Sequence, residues 1–237
     1  MIQEYDKYTV EDHAVWKILF ERQINNLQDK SCHEYLDSLN QLSAVLNFDS
    51  IPDFKLLSNQ LNEATGWEIH VVPGLIPVDE FFYLLSKQKF CSSTWVRSRE
   101  SLDYIEEPDM FHDIFGHIPL LVNTKYAKFM QSFGALGVEY SSDPEALLKL
   151  QRLYWFTVEF GVMRSTERPL IYGSGIVSSY GETNHIFQDG VEILDFNLDN
   201  VINNDFIISE IQTRYYAINA LDDLYEILKE LRSHLMQ

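Results

Sequence analysis

Apolar side chains recur at intervals of three and four residues over most of the chain, which is the spacing of helices that bury one face. Thr9 and Asp12 form a capping-box pattern in front of the first such stretch. The last stretch, residues 221–235, is typical of an amphipathic helix that packs on a core. Helices are predicted around residues 16–27, 35–46, 56–65, 81–85, 126–140, 144–163 and 221–235.

Strand patterns are few and short. Residues 67–71 alternate between apolar and polar side chains and end at Pro73-Gly74, which predicts a short strand. Residues 93–96 are expected to be extended, residues 172–175 too rich in glycine for a helix, and residues 188–190 the turn of a hairpin. The sequence therefore predicts a mostly α fold with a few short strands, of the α+β class.

Length and composition indicate one large domain over residues 1–237, since no Gly-, Ser- or Pro-rich linker divides the chain. The 18 basic and 36 acidic side chains give a net charge of −18, which argues against nucleic acid or an anionic membrane as a partner. Two cysteines without a CxxC pattern suggest neither a disulfide framework nor a thiolate metal site. With no signal-peptide pattern and no apolar run of membrane length, a cytoplasmic protein is expected.

Two histidines, His112 and His117, lie five residues apart in a segment that also contains Gly116 and Pro119. Five residues of an ideal α-helix turn a side chain by about 140°, so these imidazoles would not share a face. They converge only if the backbone leaves α-helical geometry between them. Gly116 and Pro119 give a reason for that departure.

Glu159 is a single carboxylate within the otherwise apolar residues 154–161. An ionised carboxylate in such surroundings is unfavourable unless it meets a cation or ordered donors, and basic residues are few nearby. A metal ion shared with His112 and His117 would satisfy all three side chains. Two neutral imidazoles and one carboxylate are the ligands of non-haem Fe(II) sites with open positions for oxygen chemistry.

Zinc is the alternative metal, because the same three ligands also bind Zn²⁺. The HExxH and HxxEH signatures of zinc hydrolases are absent, since Asp113 follows the first histidine and Gly116 precedes the second. Ligand type alone leaves the metal open at this point.

Several ordered motifs resemble the tetrahydropterin-dependent aromatic amino acid hydroxylases. They are Pro108-Asp109-x-x-His112-x-x-x-x-His117-x-Pro119-Leu120, the run of residues 154–161 and the run of residues 172–182. The run Pro73-Gly74-Leu75-Ile76-Pro77 is similar to the bacterial phenylalanine 4-hydroxylases in particular. The resemblance extends from about Tyr8 to the last predicted helix.

This resemblance implies a helical catalytic domain that binds Fe(II) through His112, His117 and Glu159. It implies a monooxygenase that uses O2 and a tetrahydropterin to hydroxylate L-phenylalanine to L-tyrosine. Small molecules would be its only partners. Tryptophan or tyrosine is the alternative substrate within the family, and a zinc-binding hydrolase or a non-catalytic metal-binding fold is the remote alternative.

The resemblance also assigns residues to the two organic ligands. Arg97 matches the residue that grips the substrate carboxylate, and Phe81 matches the aromatic side chain that stacks on the pterin. The remaining positions are Pro108, Trp155, Phe160, Ser178 and Ile208 for the substrate, and Gly74, Leu75, Ile76, Asp113 and Glu182 for the pterin.

Trp155 and Ile208 carry the expected preference for phenylalanine. By the same resemblance, Trp155 would narrow the room for an indole, and Ile208 would leave the para position of the ring in apolar surroundings, where a tyrosine hydroxyl would lack a partner. No regulatory domain and no oligomerising extension are expected. The chain is therefore predicted to be a monomer.

Overall fold

Helices form most of the structure, as the apolar spacing predicts. The computed structural model describes residues 1–103 and 105–236. Short 3₁₀ segments occur at Tyr5–Lys7, Arg99–Ser101 and Pro119–Val122. The α-helices are α1 (Val10–Leu27), α2 (His33–Gln41), α3 (Phe54–Thr65), α4 (Val78–Ser86), α5 (Thr124–Glu139), α6 (Pro144–Tyr154), α7 (Ser174–Val177), α8 (Tyr180–His185), α9 (Leu198–Asn203) and α10 (Asp223–Leu235).

Local signals in the sequence explain where several helices begin and end. The capping box before α1 is confirmed, because Asp12 N donates to Thr9 Oγ1 and Thr9 N donates to the Asp12 carboxylate. Helix α3 ends at Gly66, whose φ of +82° is readily adopted by glycine. No helix in the described ranges combines the length and the apolar composition that crossing a bilayer requires.

Two small sheets complete the fold, so the predicted class is confirmed. In the first, β1 (Glu68–Val71) runs parallel to β2 (Lys89–Ser92), with Ile69 beside Phe90. The second has the order β4–β3–β6–β5, formed by β3 (Val162–Met163), β4 (Leu170–Ile171), β5 (Glu192–Asp195) and β6 (Arg214–Ile218). Strand β4 is antiparallel to β3, whereas β6 is parallel to both β3 and β5.

The prediction of a hairpin at residues 188–190 is wrong. Gly190 has a φ of +90° and does form a turn, but the turn leads from α8 into β5, and β5 pairs in parallel with β6. The sequence signal marks a reversal of the chain and does not determine which strand becomes the partner. Residues 93–96, expected to be extended, follow β2, which ends at Ser92, and have no regular secondary structure.

The prediction of one helix over residues 144–163 is wrong after Tyr154. Helix α6 passes into a π-helical turn, Trp155–Glu159, and Met163 lies in strand β3. The glycine-rich residues 172–175 were expected to be non-helical, yet Ser174–Val177 form one helical turn. Gly173 makes that turn fit, because a Cβ there would lie 2.5 Å from Glu159 O.

Helix α5 packs closely on α4 through glycine. A Cβ on Gly137 would lie 2.1 Å from Cγ of Phe82, whose ring is fully buried. Such overlap forces side chains off their rotamers or moves the helices apart. We expect Gly137→Ala to lower the free energy of unfolding by about 1–3 kcal/mol.

Urea unfolding measured by circular dichroism checks this expectation against Gly181→Ala in α8. A Cβ on Gly181 would meet only Ser179 Oγ at 3.8 Å, so that variant should be neutral or slightly stabilised by its helix propensity. Equal stability of the two variants would contradict the packing argument.

Candidate metal centre and its cavity

His112, His117 and Glu159 converge on one point. The two histidine Nε2 atoms are 3.2 Å apart, and His117 Nε2 lies 3.1 Å from Glu159 Oε1. His112 Nε2 is 3.7 Å from Glu159 Oε2. The three ligand atoms, one from each residue, all lie within 4.8 Å of one another. In the described part of the chain, this is the one cluster of histidine, cysteine and acidic side chains suited to a metal.

Both halves of this cluster are built on π-helical turns, His112–His117 and Trp155–Glu159. A π-turn joins residues five apart by hydrogen bonds, so residues at that spacing lie on one face. This is the departure from α-helical geometry that the two histidines require. Gly116 allows it to pack against α7, because a Cβ there would lie 3.0 Å from Ser174 O.

Burial and charge leave His112 and Glu159 in the protonation states that a cation needs. Burial lowers the pKa of His112 to about 4, so its imidazole is neutral near pH 7. Burial raises the pKa of Glu159, but the neighbouring His117 and His112 and a hydrogen bond from Ser174 outweigh it and bring that pKa to about 2. Neutral imidazole and ionised carboxylate are the forms that coordinate metals.

Two serines orient the cluster. Ser178 donates its hydroxyl hydrogen to Ser174 O at 2.7 Å and therefore accepts from His112 Nδ1, 2.9 Å away. That bond places the proton of His112 on Nδ1 and leaves Nε2 free to coordinate. Ser174 Oγ lies 2.9 Å from Glu159 Oε2, to which it can donate.

The donor set fits a divalent ion. Nitrogen and oxygen ligands at about 2 Å from one ion lie about 3 Å from each other, which matches two of the three separations here. The side chain of Glu159 is 13 % exposed, and among the described residues no lysine or arginine forms an ion pair with it. A cation between the three groups would supply the missing charge. Three protein ligands leave further positions open.

The cluster forms part of the wall of a cavity of about 440 Å³ with a mainly apolar lining. All three candidate ligands contribute to that wall. A cavity of this size accommodates small organic ligands and not a polymer. Polar groups that converge in an apolar cavity are the usual form of a small-molecule site.

Five of the six residues assigned to the pterin line this cavity. Gly74, Leu75 and Ile76 form a loop at its edge, where Leu75 is 73 % exposed. Phe81 packs edge-on against Tyr154 with ring centroids 5.2 Å apart. Asp113 accepts from Ser93 N at 2.9 Å, and burial raises the pKa of its carboxyl well above the usual range.

Three of the six residues assigned to the substrate line it as well: Pro108, Trp155 and Ile208. The Trp155 ring stacks on Phe206 with centroids 4.6 Å apart and an interplanar angle of 17°, and it also contacts Phe160 at 4.6 Å. Ile208 lies at the rim, since its side chain is 72 % exposed. Phe160 and Ser178 lie behind the lining and support Trp155 and His112.

Arg97, assigned to the substrate carboxylate, does not line the cavity; it is buried and pairs with Asp109. Its Nε and Nη2 donate to the two oxygens of Asp109, each at 2.8 Å, and its backbone N donates to the same carboxylate. Burial opposes the charge of Asp109, but Arg97 keeps the pKa of this carboxyl low. Asp109 also accepts from His112 N, so the arginine and the candidate metal centre share one carboxylate.

Glu182 does not line the cavity, although it was assigned to the pterin. Gln212 N donates to Glu182 Oε1 at 3.0 Å, and the Tyr215 hydroxyl donates to Glu182 Oε2 at 2.7 Å. The carboxylate is buried, which raises the pKa of Glu182. Its oxygens therefore contact residues of the protein in this structure.

Sequence reasoning missed several residues of this site: Ser174, Asp109, Tyr154 and Gln212. Ser174 and Asp109 lie inside motifs that were recognised, where a polar residue beside a candidate ligand was the available signal. Gln212 is 57 residues from Trp155, to which it is hydrogen-bonded at 3.1 Å. No local pattern connects such a pair.

Comparisons with known sequences find one family of enzymes. The family model described as biopterin-dependent aromatic amino acid hydroxylase covers residues 3–237. The phenylalanine-4-hydroxylase of Chromobacterium violaceum is 39 % identical over 94 % of this chain and 75 % of its own length. The phenylalanine-4-hydroxylase of Pseudomonas aeruginosa is 38 % identical over 94 % of this chain and 84 % of its own length. The tyrosine 3-monooxygenase of the dog is 30 % identical over 98 % of this chain and 47 % of its own length.

Solved structures agree with the sequence comparison. The Chromobacterium violaceum phenylalanine hydroxylase with bound iron(III) and oxidised cofactor 7,8-dihydrobiopterin superimposes with a TM-score of 0.92 and 38 % identity. That match covers the whole of this chain and 86 % of the other. The apo structure of the cold-active phenylalanine hydroxylase of Colwellia psychrerythraea superimposes with a TM-score of 0.92 and 37 % identity. That match covers 100 % of this chain and 92 % of the other.

Proposed function

Because this chain belongs to the biopterin-dependent aromatic amino acid hydroxylases, we propose that His112, His117 and Glu159 are the ligands of its iron. The reaction is the hydroxylation of phenylalanine to tyrosine with O2, iron and a tetrahydropterin. The observation that carries the ligand assignment is the convergence of three donors in the wall of an apolar cavity. Membership of this family excludes the zinc hydrolase and the non-catalytic fold.

The protein supplies orientation and a dry environment for this reaction. When bound, the iron and the reduced pterin supply the activation of O2. The mainly apolar lining excludes water from the space that the two organic molecules share. We assign the Gly74–Ile76 loop and Phe81 to the pterin, and Pro108 and Trp155 to the ring of the amino acid.

Arg97 is the residue that we assign to the substrate carboxylate. Its Nε and Nη2 donate to Asp109, while no hydrogen bond involves Nη1 among the described residues. A guanidinium fixed on one edge can offer its remaining N–H groups to a second carboxylate without losing its orientation. Asp109 thus holds Arg97 in place, and Arg97 fixes the amino acid next to the candidate metal centre.

Trp155 is the residue that we assign to the preference for phenylalanine over tryptophan. Its indole is held between Phe160 and Phe206 and by Gln212, so it cannot easily turn aside for a larger ring. Ile208 is mostly exposed at the rim of the cavity. We therefore expect Ile208 to discriminate against tyrosine less strongly than Trp155 discriminates against tryptophan.

We expect Trp155→Phe to raise kcat/KM for tryptophan relative to phenylalanine by about 10-fold to 200-fold, the range for a pocket that gains the space of a small group. Competition between equal concentrations of the three aromatic amino acids, with products identified by mass, measures the change. Trp95→Phe is the matched control, because Trp95 is 38 % exposed and does not line the cavity. An unchanged product ratio in Trp155→Phe would reject this role of Trp155.

The monomeric state, the cytoplasmic location and the single domain over residues 1–237 stay predictions. The net charge of −18 supports the absence of nucleic acid and anionic membranes among the partners, because both would be repelled. Light scattering during size-exclusion chromatography tests the monomer directly. A mass of twice 27.7 kDa would reject it.

A further inference from the structure

Residues 204–212, here called the wall segment, close one side of the cavity without regular secondary structure of their own. Three isoleucines of the segment, Ile207, Ile208 and Ile211, are each more than half exposed. A segment with few buried apolar side chains and no helix or strand opens easily unless it is anchored elsewhere. Its position therefore depends on a small number of contacts.

At the start of the wall segment Asn204 donates to the Tyr216 hydroxyl, and Asp205 pairs with Arg152. Gln212 supplies the contacts at its other end. Its side chain donates from Nε2 to Ile207 O and Glu210 O, each at 2.9 Å, and it accepts from Trp155 Nε1 at 3.1 Å. One buried amide thus ties the turn of the wall segment to the indole that we assign to the substrate ring. The Phe206 ring, stacked on Trp155 and edge-on to Phe156, is a further attachment in the middle of the segment.

Glu182 fixes Gln212 to the body of the protein. It lies in α8, and its carboxylate accepts from Gln212 N and from the Tyr215 hydroxyl. The same hydroxyl lies 3.0 Å from Gln212 O. Among the described residues no ion pair neutralises Glu182, although its side chain is buried. The carboxylate stabilises the position of Gln212, because its loss would leave the buried N–H of Gln212 without a partner.

We propose that Glu182 and Gln212 are positioning residues for the aromatic pocket: Glu182 anchors the wall segment to α8, and Gln212 passes that restraint to Trp155. The inference rests on the proposed function in one respect, namely that Trp155 lines the pocket of the amino acid ring. It assigns Glu182 to the substrate side, in place of the pterin contact that the family resemblance implied.

Three variants test the proposal. Glu182→Leu removes both accepting oxygens. Glu182→Gln keeps a hydrogen bond at each of the two positions. Its amide oxygen accepts from Gln212 N, and its amide nitrogen donates to the Tyr215 hydroxyl. That hydroxyl then donates to Gln212 O. Gln212→Leu removes the link to Trp155 and leaves Glu182 in place. Leu231→Ala controls for a general loss of stability, because Leu231 is fully buried in α10, does not line the cavity, and its truncation is expected to destabilise the fold by about 2–5 kcal/mol.

Steady-state kinetics of the iron-loaded proteins give the first readout. Glu182→Leu and Gln212→Leu should raise the phenylalanine KM by about tenfold or more and leave the pterin KM and the iron content unchanged. Glu182→Gln and Leu231→Ala should stay near the wild type. A rise in the pterin KM with an unchanged phenylalanine KM in Glu182→Leu would overturn the proposal and return Glu182 to the pterin.

Hydrogen–deuterium exchange gives a second readout that does not depend on turnover. In the wild type the Gln212 amide is protected by Glu182, and in Glu182→Leu peptides covering residues 206–212 should exchange about tenfold faster, while α5 is unchanged. Unchanged exchange in those peptides would contradict the anchor. If Glu182→Leu does not fold, Gln212→Leu decides by the same two measurements. A wild type that hydroxylates no phenylalanine would reject the proposed function and leave the exchange result standing.

Discussion

Replacing Glu159 with alanine is expected to strip the protein of iron and to abolish hydroxylation while most of the fold remains. Glu159 is the one anionic ligand of the cluster, and without it two neutral imidazoles face the ion. Loss of an outer-shell partner of a metal ligand costs about 10-fold to 100-fold in affinity or activity, and loss of the charged ligand itself should exceed that range. Iron per protein chain and tyrosine formation are measured on the same preparation.

Glu145→Ala is the matched control for this substitution, since that carboxylate is exposed and pairs with Lys149 at the start of α6. It should retain both iron and activity. Far-UV circular dichroism of Glu159→Ala should resemble that of the wild type, because removal of a buried carboxylate does not break a helix. Full iron occupancy in Glu159→Ala would show that Glu159 is not a ligand.

Replacing Arg97 with alanine is expected to raise the phenylalanine KM and to spare the pterin KM. Truncating one partner of a buried charged pair costs about 2–5 kcal/mol, which corresponds to an increase between about 30-fold and several thousand-fold. The same substitution leaves Asp109, which is 0 % exposed, as a buried carboxylate without its cation. Separately from the effect on substrate binding, this uncompensated charge should lower the free energy of unfolding by about 3–5 kcal/mol.

A double variant separates these two effects. Asp109→Asn, added to Arg97→Ala, removes the uncompensated charge, so the free energy of unfolding should recover while the phenylalanine KM stays high. Arg99→Ala is the control, because Arg99 pairs with Glu11 on the surface. A phenylalanine KM in the double variant equal to that of the wild type would mean that another group binds the substrate carboxylate.

Local sequence patterns predict much of this fold because they report local physics. The Thr9–Asp12 capping box, the glycine that ends α3 and the apolar face of α10 were all visible as patterns over a few residues. The parallel pairing of β5 with β6 was not visible, since strands of four and five residues choose partners by tertiary packing. The two π-turns were not visible either, and only the requirement that His112 and His117 converge pointed to a distortion there.

In the candidate site too, the sequence predicts some residues and not others. Its metal ligands stood out because Glu159 is a charge in an apolar run, and burial of charge needs an explanation. The hydrogen-bond partners of the residues assigned to the substrate could not be predicted from the sequence. Asp109 is 12 residues from Arg97, and Glu182 is 30 residues from Gln212, so their hydrogen bonds exist only once the chain has folded. The family resemblance gave Glu182 a ligand role, and only its hydrogen bonds suggest the positioning role.

Turnover of the iron-loaded wild type under ¹⁸O2, with phenylalanine and a tetrahydropterin, tests the assigned chemistry most directly. A monooxygenase that uses this site should give tyrosine carrying one ¹⁸O atom, and omission of either the iron or the pterin should stop its formation. Mass spectrometry of the amino acid product reads both results in one experiment. Tyrosine whose new oxygen comes from water, or no tyrosine from fully iron-loaded protein, would contradict an iron- and pterin-dependent hydroxylation by this chain.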